Sequence, residues 1–214
     1  MGKFFWYLPL IMFVPVFTGL FRYATLDRAH RIFLFYLLFG SVVQAISLFT
    51  PELTVKSILQ YMGYAISFFL LFSLLIQWDD SFSRKKLYNT LAAVSPLVFV
   101  VEMVLRRKNN IIIPSYGYLA ISMIFCLMAM PVLVGRIASV TKSPWKNSAV
   151  LILFTLLAIF LLLDVIYILY LFVYSTNTYP LLKQSFEVNR YTLIFSHLTY
   201  TMAIIWAPKK QVFI

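Results

Sequence analysis

Seven apolar runs, each of 17 to 26 residues, divide the chain: 4–21, 32–49, 57–78, 87–105, 111–134, 149–174 and 191–207. A hydrocarbon core about 30 Å thick takes roughly 20 apolar residues per helical crossing. In lipid every backbone N–H and C=O must be satisfied within the segment, so each run is expected to be a helix. The runs are continuous, unlike the roughly 10-residue alternation of a membrane β-barrel. The expected fold is therefore an all-α membrane protein, a polytopic bundle of about seven transmembrane helices forming one domain over residues 1–214. Seven crossings take about 140 residues, which leaves no room for a soluble kinase, nucleotide-binding or DNA-binding domain.

Composition agrees. The chain is 62% hydrophobic and 12% charged, against about 45–50% and 25% in soluble domains. Run 4–21 is too long for a signal peptide and lacks a small-residue cleavage site after it. Trp6 replaces the Ser or Thr that an N-myristoylation motif needs. Cys126 is the single cysteine, so no intrachain disulfide forms. Pro9, Pro15, Pro96, Pro114 and Pro131 lie in or beside runs. Each is expected to bend its helix and free a carbonyl for another partner. The short links at 50–56 and 79–86 make successive helices antiparallel neighbours. The longest soluble segments are expected at about 135–148 and 175–190. No internal repeat supports a transporter of inverted repeats.

The net charge of +11 comes from Lys and Arg in the links, a topological signal rather than a nucleic-acid footprint. Eleven of the eighteen fall on one side: Arg22, Arg28, Arg31, Arg84, Lys85, Lys86, Arg136, Lys142, Lys146, Lys209 and Lys210. The other side has Lys3, Lys56, Arg106, Arg107, Lys108, Lys183 and Arg190. That excess places the N-terminus outside and the C-terminus in the cytoplasm of an inner or plasma membrane. The run Arg106-Arg107-Lys108 pulls the other way. Arg22, Arg28, Arg31, Arg84, Lys85 and Lys86 are expected to meet anionic lipid or an acidic partner surface.

Polar residues inside the runs carry the functional reading. An Asp at a helix centre costs about 2.5–3.5 kcal/mol to insert. The run Val150–Leu163 before Asp164 holds 12 Val, Leu, Ile or Phe residues, worth about −5 kcal/mol together. Insertion therefore does not forbid Asp164, and an intramembrane carboxylate is a functional hypothesis by default. Tyr167 follows Asp164 at i+3, and His197 and Tyr200 share a face of the last run. Gln44, Tyr64 and Glu102 sit at similar depth. These seven residues are expected to line an outward-facing polar cavity. Each has a plainer reading. Glu102 can pair with Arg106 one turn on, His197 can bridge helices, and tyrosines anchor interfaces.

Several chemistries are excluded. No lysine lies between Lys146 and Lys183 or between Lys183 and Lys209. The last two helices thus offer no Schiff-base lysine of the microbial-rhodopsin kind. Two histidines, His30 and His197, near opposite faces, give neither a haem pair nor a three-histidine zinc site. No phosphate-binding glycine motif occurs, and no cofactor or metal is expected. Asp164 can orient His197 as a base, but Ser196 points about 100° away from it, so no nucleophile is assigned.

The stretch Leu20-Phe21-Arg22-Tyr23-Ala24-Thr25-Leu26-Asp27-Arg28-Ala29-His30-Arg31-Ile32 resembles the first loop of small seven-helix integral membrane proteins of Bacteroidota. The likeness extends to 61–75 and 189–206. That group often has an acidic residue near the position of Ser67, which this chain lacks. The group is similar to the seven-helix input modules of sensor kinases, and the resemblance implies sensing or scaffolding. The expected role is a membrane sensing, signalling or accessory protein acting with membrane lipids and a protein partner. The rivals are a structural subunit of a membrane complex, a small transporter or channel, and an intramembrane hydrolase.

Overall fold

The structure is a computed structural model that describes residues 8–50, 52–109, 116–139, 147–176 and 179–208. Among them the chain is all helical, with no strand. Seven α-helices follow in order: α1 Leu8–Phe21, α2 Arg28–Phe49, α3 Leu53–Trp78, α4 Phe82–Asn109, α5 Tyr116–Ala138, α6 Ser148–Thr176 and α7 Tyr179–Trp206. One 3-10 turn, Tyr23–Thr25, links α1 to α2. Five helices are long and apolar enough to cross a membrane, over Arg28–Ser47, Val55–Trp78, Phe82–Leu105, Tyr116–Ala138 and Ser148–Leu169.

The helices outrun the apolar runs. α4 begins at Phe82, ahead of 87, and α7 begins at Tyr179, well before 191. The segment 175–190, expected as a soluble link, is therefore mostly helix. Charged and polar residues such as Lys86 and Asn189 end an apolar run without ending a helix, since both remain good or neutral helix residues in water. Hydropathy marks where lipid stops. Caps and prolines mark where the helix stops.

Each helix packs against its neighbours in sequence, and α1 closes the circle by packing on α7. α3 also touches α5, which draws it toward the middle. α6 buries the largest share of itself. It is apolar on every side, as a central helix must be. Leu153, Leu156 and Phe160 of α6 meet Phe68, Phe72 and Leu75 of α3 and Phe125 of α5 in the core. Outward, Phe17, Leu97, Leu127, Phe154 and Phe195 are exposed. An apolar coat over an apolar core suits lipid as the solvent.

Pro9 is the second residue of α1, where proline fits without bending a helix. Pro15, Pro96 and Pro131 lie inside α1, α4 and α5. Near each, a carbonyl three or four residues back takes a side-chain hydroxyl. Ser41 donates to Met12 O at 3.2 Å, Ser95 to Ala92 O at 3.5 Å, and Tyr88 to Met128 O at 3.5 Å. Pro114 lies outside the described residues.

Helix ends gather where α1, α3, α5 and α7 finish and α2, α4 and α6 begin, and side chains satisfy them. Asp27 caps α2 by accepting the His30 N–H at 2.8 Å. Asn147 Oδ1 accepts the Ala149 and Val150 N–H groups of α6 at 3.0 and 3.3 Å. At C-termini, arginines face the negative end of the helix dipole. Arg136 donates to Trp78 O through Nε at 2.9 Å and Nη2 at 2.6 Å. Arg22 donates to Ile204 O, to Ile205 O at 2.5 Å and to Ala207 O at 3.2 Å, closing α7. His30 ties α2 to α6. Its Nδ1 meets Asp27 Oδ1 at 2.7 Å and its Nε2 meets Ser148 Oγ at 2.8 Å.

Asp79 is the strongest joint at this end. Its buried carboxylate accepts from Arg84 Nη2 at 2.8 Å, the Tyr88 hydroxyl at 2.7 Å and the Ser81 N–H at 2.9 Å, with the charged Arg84 Nε 2.7 Å away. Burial pushes its pKa up, but the Tyr88, Ser81 and Arg84 bonds together outweigh burial and hold it below the usual 3.8. A carboxylate with a lowered pKa stabilises fully above the free value and loses that stabilisation as pH falls through its own. Asp79→Asn is expected to lower stability in detergent by about 2 kcal/mol at pH 7. This is under the 3–5 kcal/mol of a fully buried pair, because Arg84 is 41% exposed. Thermal unfolding at pH 7 and pH 3.5 checks it: the gap between wild type and variant should shrink at the lower pH.

Candidate functional site

α5 and α6 run antiparallel from the same end, so depth follows from counting. Ser122 lies 16 residues from Ala138 at the end of α5, and Asp164 lies 16 from Ser148 at the start of α6. At 1.5 Å per residue both stand about 24 Å from the basic end, level with each other. The two meet: the Ser122 hydroxyl lies against both Asp164 Oδ1 and, at 3.0 Å, the Leu119 carbonyl of its own helix. Asp164 is 3% exposed, and its Oδ2 is buried with no hydrogen-bond partner among the described residues. A carboxyl oxygen without a donor in hydrocarbon is costly and needs an explanation.

Three tyrosines from three helices wall this position. The Tyr64 hydroxyl of α3 lies 3.3 Å from that of Tyr167 on α6. The Tyr118 ring of α5 stacks on Tyr167 with centroids 4.9 Å apart and planes at 22°. It stands 4.8 Å from the Tyr64 ring. One turn nearer the basic end lies an aromatic floor. Phe160 is 5.2 Å from Phe125 and 5.5 Å from Phe68, and Phe68 stacks on Phe99 at 5.8 Å. The site is thus polar at Asp164 and sealed by phenyl rings on the basic side.

Glu102 of α4 sits at the rim. Its Oε2 accepts the Gly117 N–H at 3.2 Å, one residue from Tyr118. A Cβ on Gly117 would stand 2.6 Å from that oxygen, so a larger residue there would push the Glu102 carboxylate aside. The side chain of Arg106, the alternative partner, lies outside the described residues.

Of the seven expected cavity residues, Tyr64, Asp164 and Tyr167 come together, with Glu102 alongside. Gln44 is exposed on α2. His197 and Tyr200 form a separate pair on α7. His197 Nδ1 donates to Leu193 O of its own helix at 2.7 Å, and its ring meets Tyr200 edge-on at 5.8 Å. Tyr200 is buried against Phe33 at 5.0 Å, and its hydroxyl has no hydrogen-bond partner among the described residues. No hydrogen bond joins Asp164 to His197. The Ser196 hydroxyl, too, turns to Leu193 O.

Ser122 and Tyr118 complete the site and were passed over in the sequence. Their signal was present: Tyr118, Ser122 and Phe125 are spaced i, i+4, i+7, one face of α5. Of the six basic-loop residues, Arg28 and Lys86 are exposed and Lys85 is half-buried. Arg22 and Arg84 are engaged inside the bundle, and Arg31 lies 4.8 Å over the Tyr23 ring. A cavity of about 100 Å³ opens at the basic end, lined by Trp78, Asp79, Asp80, Arg84, Arg136 and neighbours. Among the described residues no three His, Cys, Asp or Glu side chains gather to hold a metal.

Oδ1 of Asp164 is met by Ser122, and Oδ2 has no hydrogen-bond partner among the described residues. Ser122→Ala strips the one bond Asp164 has, so it is expected to cost about 1–3 kcal/mol. Asp164→Asn keeps an acceptor for Ser122 and removes the charge, so its cost is expected to be smaller. Thermal unfolding in detergent ranks the two, and the reverse order would count against this bond. Compared with protein-family models, curated proteins and solved structures, the chain matches none of them.

Proposed function

We propose that the chain is an integral protein of an inner or plasma membrane that senses a small ligand at Asp164 and relays its state to a protein partner. The chain crosses the bilayer seven times, with the N-terminus outside and the basic end in the cytoplasm. The observation that supports this reading is the buried, unpartnered Oδ2 of Asp164 beside Tyr64, Tyr118 and Tyr167. A carboxylate among aromatic rings favours a guest with a cationic or hydrogen-bond-donating group. The phenyl floor beneath speaks for a terminal binding site over a pore, because Phe68, Phe125 and Phe160 close the way to the basic end. α3, α5 and α6 all reach from the site to the basic end. A change in their packing at Asp164 is therefore felt where Arg28 and Lys86 are exposed.

The test is purification of wild type and Asp164→Asn from native membranes in mild detergent, with mass spectrometry of proteins and small molecules. Wild type is expected to retain a small molecule with a donor or cationic group. Asp164→Asn is expected to retain about 10-fold less, the worth of one charge-assisted bond, and to keep the same protein partner. Equal small-molecule content in both would overturn the sensing role; a partner alone would mark a structural subunit. Topology has its own check. In a Cys126→Ala background, a cysteine at Lys86 should react with a membrane-impermeant maleimide only after the membrane is opened.

A further inference from the structure

At the other end of the bundle, three side chains form a row that the sensing role does not use. Asp27 and His30 stand three residues apart at the start of α2, and Ser148 opens α6, 118 positions after His30. The Asp27 carboxylate accepts from the ring at Nδ1, 2.7 Å away. That bond puts the ring proton on Nδ1 and leaves Nε2 as an acceptor. The Ser148 hydroxyl fills it, with Oγ 2.8 Å from Nε2. A carboxylate orienting an imidazole that accepts from a serine is the hydrogen-bond order of a Ser-His-Asp nucleophile, recognised by geometry rather than chain order.

Asp27 caps α2 with the same Oδ1 that meets the ring, but two features set Ser148 apart from an ordinary helix cap. The cap of α6 is Asn147, whose Oδ1 already takes the Ala149 and Val150 N–H groups. Ser148 Oγ is therefore not needed to end the helix. Ser148 is also the first residue of a 29-residue helix, where the dipole favours negative charge. An oxyanion forming on a carbonyl bonded to Ser148 Oγ lies in that field.

We propose that Asp27, His30 and Ser148 form an esterase site that cleaves carboxylic esters held at headgroup depth on the basic side of the membrane. In the first half, Ser148 Oγ bonds to the acyl carbon and its proton passes to His30 Nε2. The ester C–O bond then breaks, and the departing alkoxide takes that proton and leaves as an alcohol. In the second half, a water bonds to the acyl carbon and gives its proton to His30 Nε2. The bond from the acyl carbon to Ser148 breaks, Oγ recovers the proton and the carboxylic acid leaves. The sum is ester plus water to acid plus alcohol. Asp27 keeps its charge throughout and holds the imidazolium that forms in each half. Its carboxylate is 41% exposed, while His30 is 2% and Ser148 4% exposed. The row thus runs inward from the surface, and the proposal requires α2 and α6 to part locally for an acyl group to reach Ser148.

The inference stands apart from the Asp164 reading, about 24 Å away along α6, and either can fail alone. The experiment uses the full chain in lipid vesicles with a biotinylated alkyl fluorophosphonate. Ser148 Oγ bonds to phosphorus, the P–F bond breaks, fluoride leaves and the proton passes to His30. Peptide mapping is expected to find the label on Ser148. Hydrolysis of a medium-chain p-nitrophenyl ester is expected to fall about 10³-fold or more in Ser148→Ala and in His30→Gln. Leu97→Ala, on the exposed side of α4, should leave both readouts unchanged. Ser148→Ala removes a single buried oxygen, so thermal unfolding should confirm that it still folds. Wild type left unlabelled at Ser148 after prolonged exposure, or ester hydrolysis that survives Ser148→Ala, would overturn the proposal. The three residues would then be a pin between two helix ends.

Discussion

Backbone groups in hydrocarbon have no water to bond, and the rest of this structure depends on how the chain answers that constraint. Within a helix the answer is automatic. At helix ends the first N–H and last C=O groups are orphaned, and here side chains supply the partners. Arg136 holds the end of α3 and Arg22 the end of α7. Asp27 and Asn147 hold the starts of α2 and α6. Each of these bonds reaches its own helix or a neighbour, so satisfying the ends also locks the ring of helices together. Basic residues that look like a lipid-facing surface in the sequence thus divide into two sets, one tying the bundle and one facing out.

Depth separates the two chemically interesting places. The tied end is rich in polar groups because it meets water and headgroups. Asp79, Arg84, Tyr88 and Ser81 satisfy one another there, and Asp79 stays ionised as a result. About 24 Å further in, Asp164 has one hydrogen bond and one bare oxygen. Between the two lie Phe68, Phe125 and Phe160. A rigid aromatic layer transmits displacement because close-packed cores resist compression. The aromatic layer thus separates the tied, polar helix ends from the buried carboxyl above it.

How far the residues alone carry the reading is best seen at particular positions. The apolar runs placed the bodies of the helices, because lipid solvation acts on every side chain. They misplaced the start of α7, because a helix leaving the bilayer changes solvent without changing backbone. Asp164 stood out because a carboxylate among leucines is rare. Ser122 did not, because a serine inside a helix commonly turns to its own backbone, as Ser73 does toward Phe69 O. Grouping His197 with Asp164 rested on similar depth. Depth along the membrane says nothing about which way around the bundle a side chain faces, and His197 turned to its own helix.

The sequence by itself determined that this chain is helical and apolar enough to cross a membrane. Those properties are local: hydropathy acts within a few positions. The tertiary structure alone decided which polar side chains meet. Ser122 and Asp164 are 42 residues apart, Tyr64 and Tyr167 are 103, and His30 and Ser148 are 118. Such pairs depend on the rotation of each helix about its own axis. That rotation is set by how apolar surfaces interlock across the whole bundle, and no single segment encodes it.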